Sequence, residues 1–444
     1  MILGQKLWKK AKKLIPGGTM LFSKNPDLFL PKKWPAYYYK AKGCMIWDLE
    51  KKKYIDISTM SVGACTLGYA NSEIDKEVIK KLKLGNMTSL NNCEEILLAE
   101  KLIEMHPWAE MVRFARSGGE ANAIAIRIAR AATAKKKIAV CGYHGWHDWY
   151  LSSNLNNSKN LENFLFPNVP IMGVPQDLKN TVFPFQYNNL NELKKLILKH
   201  DIGIIKMEVS RDDIPTGNFL KNVRKICDEK KIILIFDECT SGFRKTFGGL
   251  HKFFKVSPDM AMFGKALGNG YAVNAIIGKR SIMDSAKSTF ISSTFWTERI
   301  GTIAALKTLE VMYKNKNWEL ISKIGKSIKY GWEKIAKDYD IKIIIKGIDA
   351  LPNFYFPHDD NLYFKTYISQ EMLKNKILAG NSVYVCSDHN KNILDKYFNV
   401  LDEVFKKIKQ CMDEKENIKS LLKSPICIAG MRSLKNLDEK KKIK

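Results

Sequence analysis

Apolar residues follow two rhythms along this chain. Between about residues 71 and 314, short apolar bursts at 138–141, 202–209, 232–236 and 260–263 alternate with stretches of helical period such as 220–228. Bursts of that length read as buried strands. Their alternation with amphipathic helices predicts a mostly parallel sheet covered on both faces. At the N-terminus Leu3, Leu7, Ala11 and Leu14 recur at helical spacing among lysines, which predicts a short amphipathic helix stopped by Pro16-Gly17-Gly18. Strand-like segments at 36–40, 44–49 and 54–58 follow and predict a small antiparallel sheet. The last third differs again: long helices at 318–337 and 393–412 flank short strands, with Tyr397, Leu401, Val404, Phe405 and Ile408 on one helical face. This is a compact α+β unit expected to pack with the N-terminal sheet. The resulting division is 1–60 for the N-terminal helix and small sheet, 61–315 for the large α/β domain, 316–434 for the C-terminal α+β domain, and 435–444 for a charged tail expected to be disordered.

Composition narrows the function classes. With 444 residues, 45% of them hydrophobic, the chain can bury a large core. A net charge of +27 raises nucleic acid or an anionic surface as a partner, but the cations are mostly lysines scattered as pairs such as Lys9-Lys10 and Lys194-Lys195. That is a solvated surface rather than a patch, so no specific nucleic-acid partner is expected. The nine cysteines form no Cys-x-x-Cys pair and no histidine cluster has zinc-ligand spacing, so the expectation is a reduced, cytoplasmic protein with no metal site. No apolar run reaches about 18 residues, so no membrane span is expected, and the lysine-rich N-terminus does not read as a signal peptide.

Three segments carry candidate chemistry. Arg116-Ser117-Gly118-Gly119-Glu120 precedes a helical stretch, with Ser117 and Glu120 at capping-box spacing. Glycines at a helix start leave backbone N–H groups open to an anion such as phosphate, although a plain capped helix has the same signature. Asp237 follows the burst 232–236, at the strand end where open α/β sheets place ligands. A helix cap or a Mg²⁺ ligand are the alternatives there, and no Gly-x-x-x-x-Gly-Lys-Ser/Thr loop lies upstream to support the second. Lys265 follows the burst 260–263 among small residues, in Gly264-Lys265-Ala266-Leu267-Gly268. Losing solvation there lowers its pKa, as an imine-forming nucleophile requires, while a simply solvated lysine is the commoner case. Together the acid and the lysine suit pyridoxal 5'-phosphate (PLP), one holding the pyridine nitrogen protonated and the other forming the Schiff base.

Phe236-Asp237-Glu238-Cys239-Thr240-Ser241-Gly242-Phe243-Arg244 and Phe263-Gly264-Lys265 resemble the class III PLP-dependent aminotransferases. Within that class the chain is similar above all to glutamate-1-semialdehyde 2,1-aminomutase and its relatives. The likeness runs from Ile15-Pro16-Gly17-Gly18 through Leu67-Gly68-Tyr69 and Tyr143-His144-Gly145 to the C-terminal helix. It implies the α/β fold type I of PLP-dependent transferases, a large mostly parallel-sheet domain plus a small α+β domain built from both termini. It further implies that Ser117, Gly118 and Gly119 bind the cofactor phosphate, that Tyr143 stacks on the ring, with a core aromatic as the alternative, that Cys239 packs under it, and that Glu208 lines the site. His144 adjoins the ring position as a substrate-site candidate, with a structural histidine as the alternative. Thr294 matches a threonine that reaches a neighbouring subunit's phosphate, so a homodimer with shared active sites is implied. The implied reaction passes an amino group between an amine donor and a carbonyl compound through the Lys265 Schiff base.

Departures from the family pattern bear on substrate. Lys51 stands where a turn glycine is usual, Val209 replaces the proline after Glu208, Lys24 replaces a carboxylate-binding arginine, and Val62 replaces an active-site tryptophan. No arginine lies between Asp340 and Gly430 to clamp an α-carboxylate. Lysine keeps the charge at position 24 but loses the bidentate fork. Transfer to a sugar or a small aldehyde or ketone is the expected activity, with the aminomutase reaction as the alternative. A non-catalytic basic binding protein on the same fold is the alternative of another class.

Overall fold

A computed structural model describes residues 3–430, so the expectation for 435–444 lies outside the described residues. The described residues form two compact units, one running up to Asn71 and resuming from Leu320 to Gly430, the other Ser72–Glu319. The first unit therefore extends past the expected boundary at residue 60. Cys65 shares one core with Cys44, Ile57 and Met60, and Gly43 bridges to Tyr69, so residues 61–71 are fastened to the small sheet.

The N-terminal helix, Leu3–Leu14, buries Gly4, Gln5, Trp8 and Ala11. The predicted apolar face is only partly used, since Leu3, Leu7 and Leu14 are exposed. Trp8 has the largest apolar surface to bury, and the small residues Gly4 and Ala11 on its side let the helix approach closely. Strands β1 (Tyr38–Lys42), β2 (Met45–Asp48) and β3 (Lys53–Ile57) follow as an antiparallel meander. Lys51 takes the left-handed conformation (φ +61°) that a glycine would adopt freely. Asp48 Oδ1 accepts the N–H groups of Glu50 and Lys52, both at 2.9 Å, and so holds the turn together.

The second unit is built on seven strands: β4 (Met111–Ala115), β5 (Lys137–Cys141), β6 (Val182–Pro184), β7 (Ile202–Glu208), β8 (Ile233–Asp237), β9 (Met260–Phe263) and β10 (Asn274–Gly278). Their order is β4-β10-β9-β8-β7-β5-β6. The run from β9 to β6 is parallel, and β10 is antiparallel to both its neighbours. Every residue of β7 and β8 is buried, as expected of strands covered on both faces. In register, Glu208 pairs with Asp237, so two carboxylates stand side by side at the carboxyl edge of the sheet.

The first unit is completed by β11 (Ile344–Lys346) and β12 (Asn353–Tyr355), which pair with each other, and by β13 (Ile377–Ala379), which joins β3 in parallel. The small sheet is thus built from both ends of the chain. The helix Lys391–Met412 buries Tyr397, Leu401, Val404, Phe405 and Ile408, the predicted face, in a core with Trp332, Phe354 and Phe356. Among the described residues no helix is long and apolar enough to cross a membrane, and no group of three or more His, Cys, Asp or Glu could hold a metal ion.

Candidate active site

Strand ends and one helix start bring the chemistry together within the second unit. The helix Gly118–Thr133 opens with the expected capping box: Ser117 Oγ accepts the N–H of Glu120, and Glu120 Oε2 accepts that of Ser117. Ser117 therefore uses its hydroxyl as a cap, and the first-turn N–H groups of Gly118 and Gly119 have no acceptor within the helix. A Cβ added to Gly118 would lie 3.9 Å from both Cys239 Sγ and Asn274 Oδ1, which sets this turn beside the end of β8.

Asp237 is the last residue of β8 and 5% exposed. Its Oδ2 accepts Nδ1–H of His144 at 2.9 Å, and its Oδ1 accepts the N–H of Cys239 at 3.1 Å. Lys206 Nζ lies 4.0 Å from the same Oδ2. Burial alone would raise the Asp237 carboxyl, but the Lys206 ammonium and the His144 hydrogen bond outweigh it and hold the group well below the usual carboxylate range. His144 is itself fully buried, and desolvation keeps its ring neutral despite Asp237. Its ring has no accessible surface and faces Asp237, as the structural alternative for His144 expects. Burial, with Asp237 next in weight, pushes the Cys239 thiol far above its ordinary range, so it stays protonated and is a packing group.

Lys265 follows β9 with a left-handed backbone (φ +45°), and its Nζ donates to Thr240 Oγ1 at 2.7 Å. A Cβ on Gly264 would lie 2.0 Å from Asn274 Oδ1, so any larger residue there requires that amide to move. Desolvation, with the charge of Arg211 next in weight, pushes the Lys265 ammonium down to about 7. Its nucleophilic, unprotonated form therefore dominates above neutrality. The rate at which Lys265 captures a carbonyl probe such as pyridoxal should rise through about pH 7 and level off above it, whereas a rate still climbing at about pH 10, the range of an ordinary lysine, would contradict this environment.

Glu208 Oε2 accepts the N–H of Tyr143 at 3.1 Å, and Arg211 Nη1 stands 4.0 Å from its Oε1. Gly142 (φ +114°) makes that approach possible, because a Cβ would meet Glu208 Oε2 at 2.5 Å. Tyr143 is half-buried, with its ring edge-on to Tyr150. Thr294 is exposed at the start of the turn Thr294–Thr297. Arg116 ties that turn to the start of the helix by donating to the carbonyls of Trp296 at 2.7 Å and Glu298 at 2.6 Å. Lys24 and Val62 belong to the first unit, Lys24 exposed at the end of a short turn and Val62 in a run of left-handed residues from Met60 to Gly63.

Two residues of this cluster escaped sequence reasoning, Lys206 and Thr240; Arg244, whose Nε donates to Thr240 O at 2.5 Å, is fully buried. For Lys206 a signal existed, since a lysine inside an apolar strand run is among the least commonly buried residue types unless paired.

The Aminotransferase class-III family model matches residues 31–386. The 3-aminobutyryl-CoA aminotransferase of Cloacimonas acidaminovorans is 32% identical, over 91% of this chain and 97% of its own length. The glutamate-1-semialdehyde 2,1-aminomutase of Methanosphaera stadtmanae is 30% identical, over 91% of this chain and 98% of its own. Among solved structures, the PLP form of the Sphingopyxis sp. MTA144 FumI protein superposes with a TM-score of 0.83 at 23% identity, covering 94% of this chain and 99% of that one.

Proposed function

The chain belongs to the class III aminotransferases, a PLP-dependent family, and from that premise we propose that it passes an amino group from an amine donor to a carbonyl compound on a second molecule. Lys265 is the covalent anchor and proton carrier in this reading, and Asp237 is the partner of the cofactor's ring nitrogen. The observation that carries it is the pairing of a partly buried Lys265, its Nζ fixed on Thr240, with an ionised Asp237 three residues before that threonine.

The residues present fit PLP. Two glycines at a helix start bring no side chains of their own and leave N–H donors for a phosphate, Gly118 beside Cys239 and Asn274 and Gly119 beside His147. Asp237 has one oxygen held by His144 and the other by a single backbone N–H, which leaves acceptor capacity for a ring N–H. When bound, PLP supplies a conjugated ring that takes up the electrons left on the amine-bearing carbon. Everything else falls to the chain. Asp237 holds the proton at the ring nitrogen, and His144 fixes the carboxylate's orientation. Lys265 Nζ would join the cofactor's carbonyl carbon with loss of water, would be freed when the donor amine takes its place, and would then carry the proton from the amine-bearing carbon to the carbon on the other side of that nitrogen. Thr240 Oγ1 aims that nitrogen.

Exposed Phe290, Phe295 and Trp146 support a homodimer in which Thr294 completes the partner's phosphate site. All nine cysteines are free, which supports a reducing, cytoplasmic setting.

Transfer between two molecules is supported by the departures at Lys24 and Val62 and by the absence of arginine between Asp340 and Gly430, which leave little to retain an α-amino carboxylate through an intramolecular transfer. An amine or carbonyl lacking that group, such as a sugar or small aldehyde or ketone, fits better. The 30% identity to an aminomutase favours a second reading, intramolecular transfer on glutamate 1-semialdehyde. A half-reaction screen separates the two. Enzyme loaded with pyridoxamine 5'-phosphate should return to the PLP spectrum with a separate carbonyl compound. Efficient conversion of glutamate 1-semialdehyde without any donor would establish the second reading instead. The same preparation should sediment as a dimer, and an active monomer would remove the shared-site part of the proposal.

A further inference from the structure

β7 is a buried parallel strand with a lysine in its interior. Lys206 has no accessible surface, and by the two-residue period of a strand it lies on the same sheet face as Glu208. It pairs in register with Ile235 on β8, two residues before Asp237, so its side chain sits directly under the Asp237 carboxylate. Nζ lies 3.0 Å from Met262 Sδ on β9 and 4.0 Å from Asp237 Oδ2, the oxygen that also accepts from His144. The carboxylates whose charge acts on it are those of Asp237 and Glu208.

We propose that Lys206 is a second, internal partner of Asp237, a positioning residue that shares this carboxylate with the cofactor's ring nitrogen and loosens Asp237's hold on it. The inference rests on the reading of Asp237 given above. Shape does not require the amine, because methionine would fill a similar path between β8 and β9 without a charge. Stability does not require it either, since a buried ion pair is often no better than well-packed apolar residues. What the amine changes is the carboxylate. A cation 4.0 Å away draws on the same negative charge that a protonated ring nitrogen needs, and two cations flanking one anion in a dry site repel each other. Desolvation lowers the proton affinity of Lys206 against the pull of Asp237.

The test compares two ligands of the full-length apoprotein, PLP and its 1-deaza analogue, in which carbon replaces the ring nitrogen, by equilibrium dialysis. Wild-type protein should prefer PLP by no more than about tenfold, the equivalent of one pKa unit. In Lys206→Met and Lys206→Gln the preference should widen by a further tenfold or more, with affinity for the analogue unchanged. Parallel changes in both affinities would assign Lys206 a structural role and overturn the proposal. A wild-type preference of about a hundredfold or more, two pKa units, would also overturn it, and that arm needs no variant to fold. If PLP itself does not bind, the cofactor site falls. If PLP binds but the ring nitrogen is immaterial in every protein, the Lys206 inference falls alone.

Discussion

Alanine in place of Lys265 should lower turnover by about four orders of magnitude or more, the scale seen when one member of a catalytic unit is deleted. Three functions end at one atom. In this reading Nζ forms the covalent link, takes the proton and returns it, and no other lysine side chain in the cluster can substitute, since Lys206 has no accessible surface and lies against Asp237 Oδ2 and Met262 Sδ. Cofactor binding should persist in weakened form, because the Gly118 and Gly119 N–H groups and Asp237 are untouched. Thr240→Val provides the graded comparison: it keeps the amine but removes its 2.7 Å hydrogen bond, so it should slow the reaction without abolishing it. Multiple turnover by Lys265→Ala, measured against a matched wild-type preparation, would show that a different lysine carries the chemistry.

Asp237→Ala should have the second-largest effect, with consequences for both activity and stability. Loss of the group that holds the ring nitrogen should cost about a thousandfold in turnover, in the range of losing one preorganised electrostatic partner. The apoprotein should also lose about 3 kcal/mol of stability, because Lys206 is left as a buried cation without its counter-charge. That loss is reduced to the extent that Lys206 sheds its proton, as its desolvated site favours. Denaturant unfolding of four apoproteins reads the coupling: wild type, Asp237→Ala, Lys206→Met and the double variant. Adding Lys206→Met to Asp237→Ala should recover most of the lost stability. Equal and additive losses would mean that the two side chains do not interact.

The sequence announced the parts of this molecule that follow one rule at a time. Bursts at 138–141, 202–209, 232–236 and 260–263 became β5, β7, β8 and β9, because a strand covered on both faces has to be apolar throughout. β4, β6 and β10 were harder to see: β4 carries Arg113 and is half-exposed, β6 is three residues long, and β10 lies antiparallel after a glycine-rich loop. Asp237 and Lys265 were legible because each ends a burst, and strand ends point at the ligand edge of such a sheet. Lys206 was hidden in the burst 202–209, where one lysine reads as an interruption, and only the register of Glu208 with Asp237 shows that it lies beneath the carboxylate. Thr240 was quoted in the motif, yet its partner is fixed by the left-handed backbone of Lys265, which no spacing rule gives. The N-terminal helix shows the limit of periodicity from another side. Two stripes competed, and the one with a tryptophan and two small residues was buried over the one with three leucines.

The central claim is that Lys265 is the residue to which the cofactor is joined. Borohydride reduction of PLP-loaded protein, followed by digestion and mass spectrometry, tests it directly. The expected result is a phosphopyridoxyl group on the peptide that contains Gly264-Lys265-Ala266, and on no other lysine in stoichiometric amount. Stoichiometric label on a different lysine, or none on protein that has turned yellow with PLP, would contradict the account.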